Sequence, residues 1–296
     1  MSRGSTFLLW AATGAVFQVA TAPGAFADPI LLTQLAKFAV LGGSTVTNTG
    51  ATTLTGHLGV SPGSEITGKA TITVNGTNAA TLGNPSVHEA DAVANEAQSQ
   101  FVIARTRLGL MGPGTVLPVD LAGLTILPGV YTVPAGISNL TGTVTLNGLG
   151  DANAFWVFQM SSTLITSPGS VVDVINTGTG AGLYWNVASS ATLDTTTSFQ
   201  GNILALTNIA LNTGATIGCG RALAHVEAVT MDHNTISTGC SGILAGSNGL
   251  SGSPAASPGA PVPEPGTMLL LGSGIVGLIA RRRRSARARR LDLAVA

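Results

Sequence analysis

The chain has 296 residues, enough for one large domain or two ordinary ones, and only 9% of them are charged. Abundant Gly beside many Val, Ile and Leu excludes a disordered composition and points to short strands joined by tight turns. The zero net charge hides an uneven distribution. Seven of the thirteen basic residues fall in 281–290, leaving five basic against eleven acidic residues (5 − 11, near −6) over 28–262. That balance excludes a nucleic-acid surface built on clustered Lys and Arg.

At the N-terminus, Arg3 precedes an apolar run from Phe7 to Ala20, and Ala25-Phe26-Ala27 supplies a small-x-small cleavage site. Residues 1–27 read as a secretory signal peptide, with the mature chain starting at Asp28. The predicted domain covers 28–245. Its first half contains one segment with helical periodicity, "NPSVHEADAVANEAQSQFVIARTRLGLMG" (84–112). Val87, Ala90, Ala94, Ala97, Phe101, Ala104 and Leu108 recur at three- and four-residue steps, which predicts an amphipathic helix over about 86–108. Ser86 and Glu89 form a candidate capping box, and Gly109 or Gly112 a candidate stop.

From 154 to 237 the chain stacks on itself with a period of about twenty residues, the mark of a solenoid. Aligned this way, Leu164, Leu193, Leu211 and Met231 share an inward column. Thr166, Thr195, Thr213 and His233 share an outward one, and so do Ser170, Ser198, Thr216 and Thr235. Outward side chains on paired strands repeat about every 4.8 Å. The pentapeptide NTGAT occurs twice, at 48–52 and 212–216, far apart in sequence. Cys219 and Cys240 are the only cysteines, and in an exported chain they are expected to form a disulfide. Two Cys without a paired motif are too few for a metal site. The four histidines are scattered, and no convergent catalytic cluster, P-loop or dinucleotide fingerprint is present. The sequence therefore predicts no enzyme, no metal and no cofactor.

Residues 246–262, "GSNGLSGSPAASPGAPV", read as a linker with nothing to bury. Beyond it, Thr267–Ala280 is a fourteen-residue apolar run followed by arginines. It falls short of the roughly 20 residues of a comfortable membrane span, but can be retained by the cationic flank. Val262-Pro263-Glu264-Pro265, the apolar run and the Arg cluster resemble the PEP-CTERM sorting tail, here 263–296. That resemblance implies an exosortase partner and export to the cell surface or the extracellular matrix, with extracellular polysaccharide as a further partner.

Five stretches carry a second resemblance. They are "LAKFAVLGGSTVTNTGATTLTGHLGVSPGSEITG" (35–68), "LPGVYTV" (127–133), "GDANAFWVFQMSSTLIT" (150–166), "ASSATLDTTTSFQGNILALTNIALNTGATIGCGRALA" (188–224) and "VTMDHNTI" (229–236). In this order, with the helix between, they resemble the microbial ice-binding (antifreeze) β-solenoid family. The resemblance implies a mostly β fold: an irregular right-handed β-helix of triangular cross-section with one long α-helix packed alongside. It also implies adsorption to an ice crystal surface and inhibition of ice growth or recrystallisation. The family's T-A/G-x-T/N motif points to Thr49, Thr52, Thr213 and Thr216, with Thr195 and Ser198 in a departed copy. The outward columns add Thr166, Ser170 and Thr235 as expected contacts, and Thr192 and Thr230 are expected contacts beside them. Thr pairs a hydroxyl and a methyl on a stiff β-branched stem, which suits a rigid water-ordering face. The competing expectations are a structural or adhesin module of the cell surface or extracellular matrix, and a polysaccharide-acting enzyme.

Overall fold

The computed structural model describes residues 29–254. The predicted signal peptide, the predicted sorting tail and residues 255–262 of the predicted linker lie outside the described residues.

Among the described residues the fold is mostly β with one α-helix. All strand pairs are parallel except Ile72–Val74 with Thr77–Asn78. The pairings resolve into three ladders. The first runs through Tyr131, Phe158, Trp185, Ile203, Ala222, Val40, Leu58 and Val87, one residue per rung. The second runs through Thr143, Val171, Ser198, Thr216, Thr235, Thr53 and Thr73. The third runs through Ile165, Thr192, Ala210, Thr230, Thr47 and Thr67. Ser198–Ala205 and Thr216–Ala224 are long enough to serve the second ladder with their first residues and the first ladder with their last.

Sequence and rung order differ. The N-terminal strands do not precede the C-terminal ones but continue their ladders: Phe38–Gly42 pairs with Thr216–Ala224, Thr45–Asn48 with Val229–Met231, and Thr52–Thr55 with Thr235–Ser237. The interior is a stack of inward side chains at period two. Behind the second ladder stand Val144, Val172, Phe199, Ile217, Ile236, Leu54 and Val74, each at most 4% exposed.

The first ladder is covered on its outer side by the helix Ala92–Leu110. The predicted stripe Ala94, Ala97, Phe101, Ala104 and Leu108 is wholly buried, packed with Phe38, Val157, Tyr184, Leu204 and Leu223. Small Ala side chains let the helix lie close, while burial of Phe101 and Leu108 contributes roughly 1.5–3 kcal/mol each. Polar groups fix the docking angle. Gln98 donates to the carbonyls of Gly42 and Ala224, Gln100 accepts from the N–H groups of Gln34 and Leu35, and Arg105 donates to Asn186.

The helix starts later than the sequence predicts. Its cap is Asp91, whose carboxylate accepts from Ala94 N–H at 2.8 Å, not Ser86. Val87–Glu89 instead forms a strand that ends the first ladder, and Ala90 takes φ +50° to leave it. Pairing with His57–Val60 satisfies backbone groups there that a helical turn would have satisfied within itself.

The expected disulfide between Cys219 and Cys240 is present, with Cα atoms 4.8 Å apart. The predicted linker begins too early. Residues 246–254 belong to the folded body: Leu250 is wholly buried and Ser247 nearly so. The carbonyl of Leu250 accepts from Leu183 N–H and from Asn202, and Gly252 N–H donates to Ala181. Two buried residues and a row of backbone bonds outweigh a Gly/Ser composition.

Candidate functional site

An uncharged row of outward side chains runs along the second ladder. Its first column is Thr143, Val171, Ser198, Thr216, Thr235, Thr53 and Thr73. Each is exposed or half-buried. Seven rungs at about 4.8 Å give a row about 29 Å long. A second column includes Thr125, Thr145 and Asp173 at one end, and Ser237 and Thr55 at the other. It is interrupted by a bulge where Phe199/Gln200 faces Ile217/Cys219. The side chains stand out because their neighbours at i ± 1 are core residues, as in Thr53-Leu54-Thr55 and Thr143-Val144-Thr145. The hydroxyls of Thr143, Ser198, Thr235, Thr53 and Thr73 make no hydrogen bond within the described residues, which leaves them to water.

The third ladder also presents hydroxyls, at Thr192, Thr230 and Thr47, but Ile165 and Ala210 break the row, and the Thr67 hydroxyl is buried. Glu65 stands exposed on its last rung. A shallow groove of about 370 Å³, lined by residues including Thr47, Thr195, Thr213, Thr230 and Asp232, indents it beside the corner it shares with the second ladder.

That corner decides the fate of the sequence-predicted residues. Ser198, Thr216 and Thr235 lie on the second ladder, Thr192 and Thr230 on the third, and Thr49, Thr195 and Thr213 at the corner between them. The predicted set therefore spans two adjoining sides. Three members are not on the surface at all: Thr52 is 2% exposed, Thr166 1% and Ser170 0%. They point inward and satisfy the corner's polar groups. Thr52 Oγ1 donates to Asn48 Oδ1 at 2.7 Å and accepts from Asn234 N–H at 3.1 Å. Thr166 Oγ1 bonds Thr197 Oγ1 and accepts from Asp194 N–H. Ser170 Oγ donates to the carbonyl of Leu140 at 2.7 Å.

The cause is register. Ile165 pairs with Thr192, so Leu164 stands beside Ala191 and Thr166 beside Leu193, two residues away from the predicted stacking. Leu193, Leu211 and Met231 do share a column, and its next member is Asn48. The two NTGAT copies lie on the same corner, two rungs apart, yet offset by one residue. Asn48 occupies the place of Leu211, and Thr53, not Thr52, occupies the place of Thr216. Backbone conformation agrees: Gly214 has φ +73°, whereas Gly50 is not in the left-handed region. Sequence reading missed Thr53, Thr55, Thr73, Thr143 and Thr145. Their signal was the alternation "TTLT", "TITV" and "TVTL", Thr at i and i+2 around an apolar residue.

No group of three or more His, Cys, Asp or Glu side chains that could hold a metal occurs among the described residues. At the helix start, Asp91, His88 and His57 form a chain of three titratable groups at 2.7 and 2.9 Å.

Comparison with known proteins bears on what such a surface is for. The Ice-binding-like family matches residues 40–237, more than half of the chain. The chain belongs to that family. Within it, this ice-binding-like chain is 44% identical over 251 residues to an ice-binding protein of Nostoc sp. (strain HG1), covering 84% of this chain and 85% of the relative. Among solved structures, it is similar to an ice-binding protein from an Antarctic biological consortium, with TM-score 0.62 and 39% identity over 76% of this chain and 96% of that one. It is also similar to one from the Antarctic ascomycete Antarctomyces psychrotrophicus, with TM-score 0.61 and 33% identity over 69% and 95%. Residues 261–284 match the PEP-CTERM protein-sorting motif.

Proposed function

We propose that this protein is an exported ice-binding protein that adsorbs to ice through the second ladder. The three ladders are read as the sides of an irregular right-handed β-solenoid of triangular cross-section. One side is taken by the helix, one is indented by a groove, and one is left open. The single observation that carries the reading is the outward row Thr143, Val171, Ser198, Thr216, Thr235, Thr53 and Thr73, uncharged over seven consecutive rungs. Ice offers no pocket-filling group and no net charge, only an extended lattice of water. A row of methyl and hydroxyl groups can order waters that merge with that lattice, while a charged group would hold its own hydration shell. Strand pairing fixes the backbone and β-branching restricts χ1, so little entropy is lost on adsorption. No catalytic role is assigned to any residue.

The names and structures of the relatives support ice as the target, and the sorting motif supports export to the cell surface or beyond, with an exosortase acting on the tail. The test is thermal hysteresis and recrystallisation inhibition by the purified protein and by a Thr53→Tyr/Thr235→Tyr variant. The wild type should hold ice crystals in a hysteresis gap and the variant should lose most of it with an unchanged melting temperature. Full activity in that variant, with loss in a Thr192→Tyr/Thr230→Tyr variant, would move the site to the third ladder. Inactive wild-type protein would leave a structural role for the solenoid.

A further inference from the structure

The third ladder carries outward hydroxyls at Thr192, Thr230 and Thr47, and it adjoins the second ladder along one corner. An ice layer growing against the second ladder would have chemically similar groups to spread onto. We propose that Asp194 and Asp232 are specificity-determining residues, forming a charged ridge along this corner that confines adsorbed ice to the second ladder. The inference rests on the ice-binding reading and adds what limits it.

The ridge follows from register. Leu193, Leu211, Met231 and Asn48 are paired rung by rung, so the next residues, Asp194, Asn212, Asp232 and Thr49, line the corner in the same order. The two carboxylates stand two rungs apart, about 10 Å. Both are fixed. Asp194 Oδ1 accepts from Asn212 Nδ2 at 2.9 Å and from Thr195 N–H at 2.7 Å. Asp232 Oδ2 accepts from Thr213 Oγ1 at 2.5 Å, and its Oδ1 lies 2.7 Å from His233 Nδ1. Hydrogen bonds from Asn212 and Thr195 hold the Asp194 carboxyl below the usual carboxylate range, and those from Thr213 and His233 do the same for Asp232. Both therefore stay ionised at neutral pH. Both residues are half-exposed, and a carboxylate in contact with water binds its hydration shell tightly and resists giving it up to a lattice. Asp232 also occupies the Thr213 hydroxyl, so a corner threonine that would bridge the two sides is turned to the carboxylate instead.

Asn in place of Asp keeps an acceptor oxygen and the shape, so the corner is retained while the charge goes. The experiment compares full-length wild-type protein, labelled fluorescently, with Asp194→Asn/Asp232→Asn and with the charge-keeping Asp232→Glu on single ice hemispheres. The double Asn variant should stain ice planes that the wild type leaves dark, and Asp232→Glu should stain as wild type. Adding Thr192→Tyr/Thr230→Tyr to the double Asn variant should remove the new planes and leave the original ones. A double Asn variant with the wild-type staining pattern and a wild-type melting temperature would overturn the ridge. If the double variant melts early, Asp194→Asn alone is read by the same criterion. Staining by wild type that survives Thr53→Tyr/Thr235→Tyr would instead overturn the choice of the second ladder, whatever the Asn variants do. A wild type that stains no plane would remove both readings.

Discussion

Thr52 and Thr53 are neighbours with opposite duties, and the difference is set by one residue of register. Thr53 belongs to the outward row, paired with Thr235 and Thr73. Thr52 is 2% exposed and links Asn48 to the backbone of Asn234. Replacing Thr52 by Val keeps the shape but strands a buried acceptor and a buried donor, at about 1–3 kcal/mol each. For a domain of this size that lowers the melting temperature by several degrees. Thr52→Val should therefore melt earlier yet retain hysteresis per folded molecule. Thr53→Tyr should melt normally yet lose activity, because the bulky ring lifts the surface off ice. Differential scanning calorimetry and nanolitre osmometry on the two variants separate these outcomes. Loss of activity without loss of stability in Thr52→Val would show that the inward side chain acts on ice after all.

At the scale of elements, the sequence showed what a repeating core imposes and hid what single corners decide. The column Leu193, Leu211 and Met231 was legible because an inward apolar residue recurs on every rung. The buried helix stripe was legible because Ala and Phe recur at helical spacing. The corners were not, because their lengths vary: five steps separate Leu211 from Thr216, and four separate Met231 from Thr235. Motif matching slides across such differences without notice. The helix start was hidden for a related reason, since Asp91 and Ser86 are both acceptable caps and only strand pairing by Val87–Glu89 decides between them. The helix also brings a pH dependence. Burial pushes the His57 ring below the ordinary histidine value, aided by His88 and Lys37 and opposed by Asp91. Burial and Arg105 push His225 the same way, where it bonds Gln98 and stacks on Phe101. The unfolded chain thus takes up these protons first, from about pH 6.5 downward. Stability is full above that value and falls below it. Burial raises the Asp91 carboxyl, but bonds from Ala94 and His88 outweigh it and hold it low. Its contribution is present above about pH 4 and lost below. Urea midpoints followed by circular dichroism from pH 8 to 3 should therefore fall in two stages, and His57→Asn/His225→Asn should flatten the first. An unchanged first stage in that variant would assign it to other groups.

For the whole molecule, the two ends of the described chain meet through one cation. Arg221 is wholly buried and no carboxylate lies among its hydrogen-bond partners. It donates to the carbonyl of Ala36 near the N-terminal end, to that of Gly249 near the C-terminal end, and to Asn202 and Asn248. Burial pulls its pKa down to about 10, so it keeps its charge at neutral pH and depends on these oxygens for its stability. The segment 246–252 supplies two of them, fills the core with Leu250, and accepts the Tyr184 hydroxyl at Gly252. It is therefore a working part of the fold that precedes the sorting motif, although its composition resembles a spacer. A chain ended after Ala245 leaves Arg221 short of acceptors and opens the Leu250 site, which costs about 2–5 kcal/mol for the Leu alone by analogy with large-to-small core changes. At roughly 2–4 °C per kcal/mol, the melting temperature should fall by about 10 °C relative to a chain ended after Pro254. Reducing Cys219–Cys240, which closes a loop of 21 residues at the same end, should cost about 3 kcal/mol more. Thermal melts of the two truncations, each with and without reductant, test both contributions. Equal melting temperatures for the two truncations would return residues 246–254 to the role of linker.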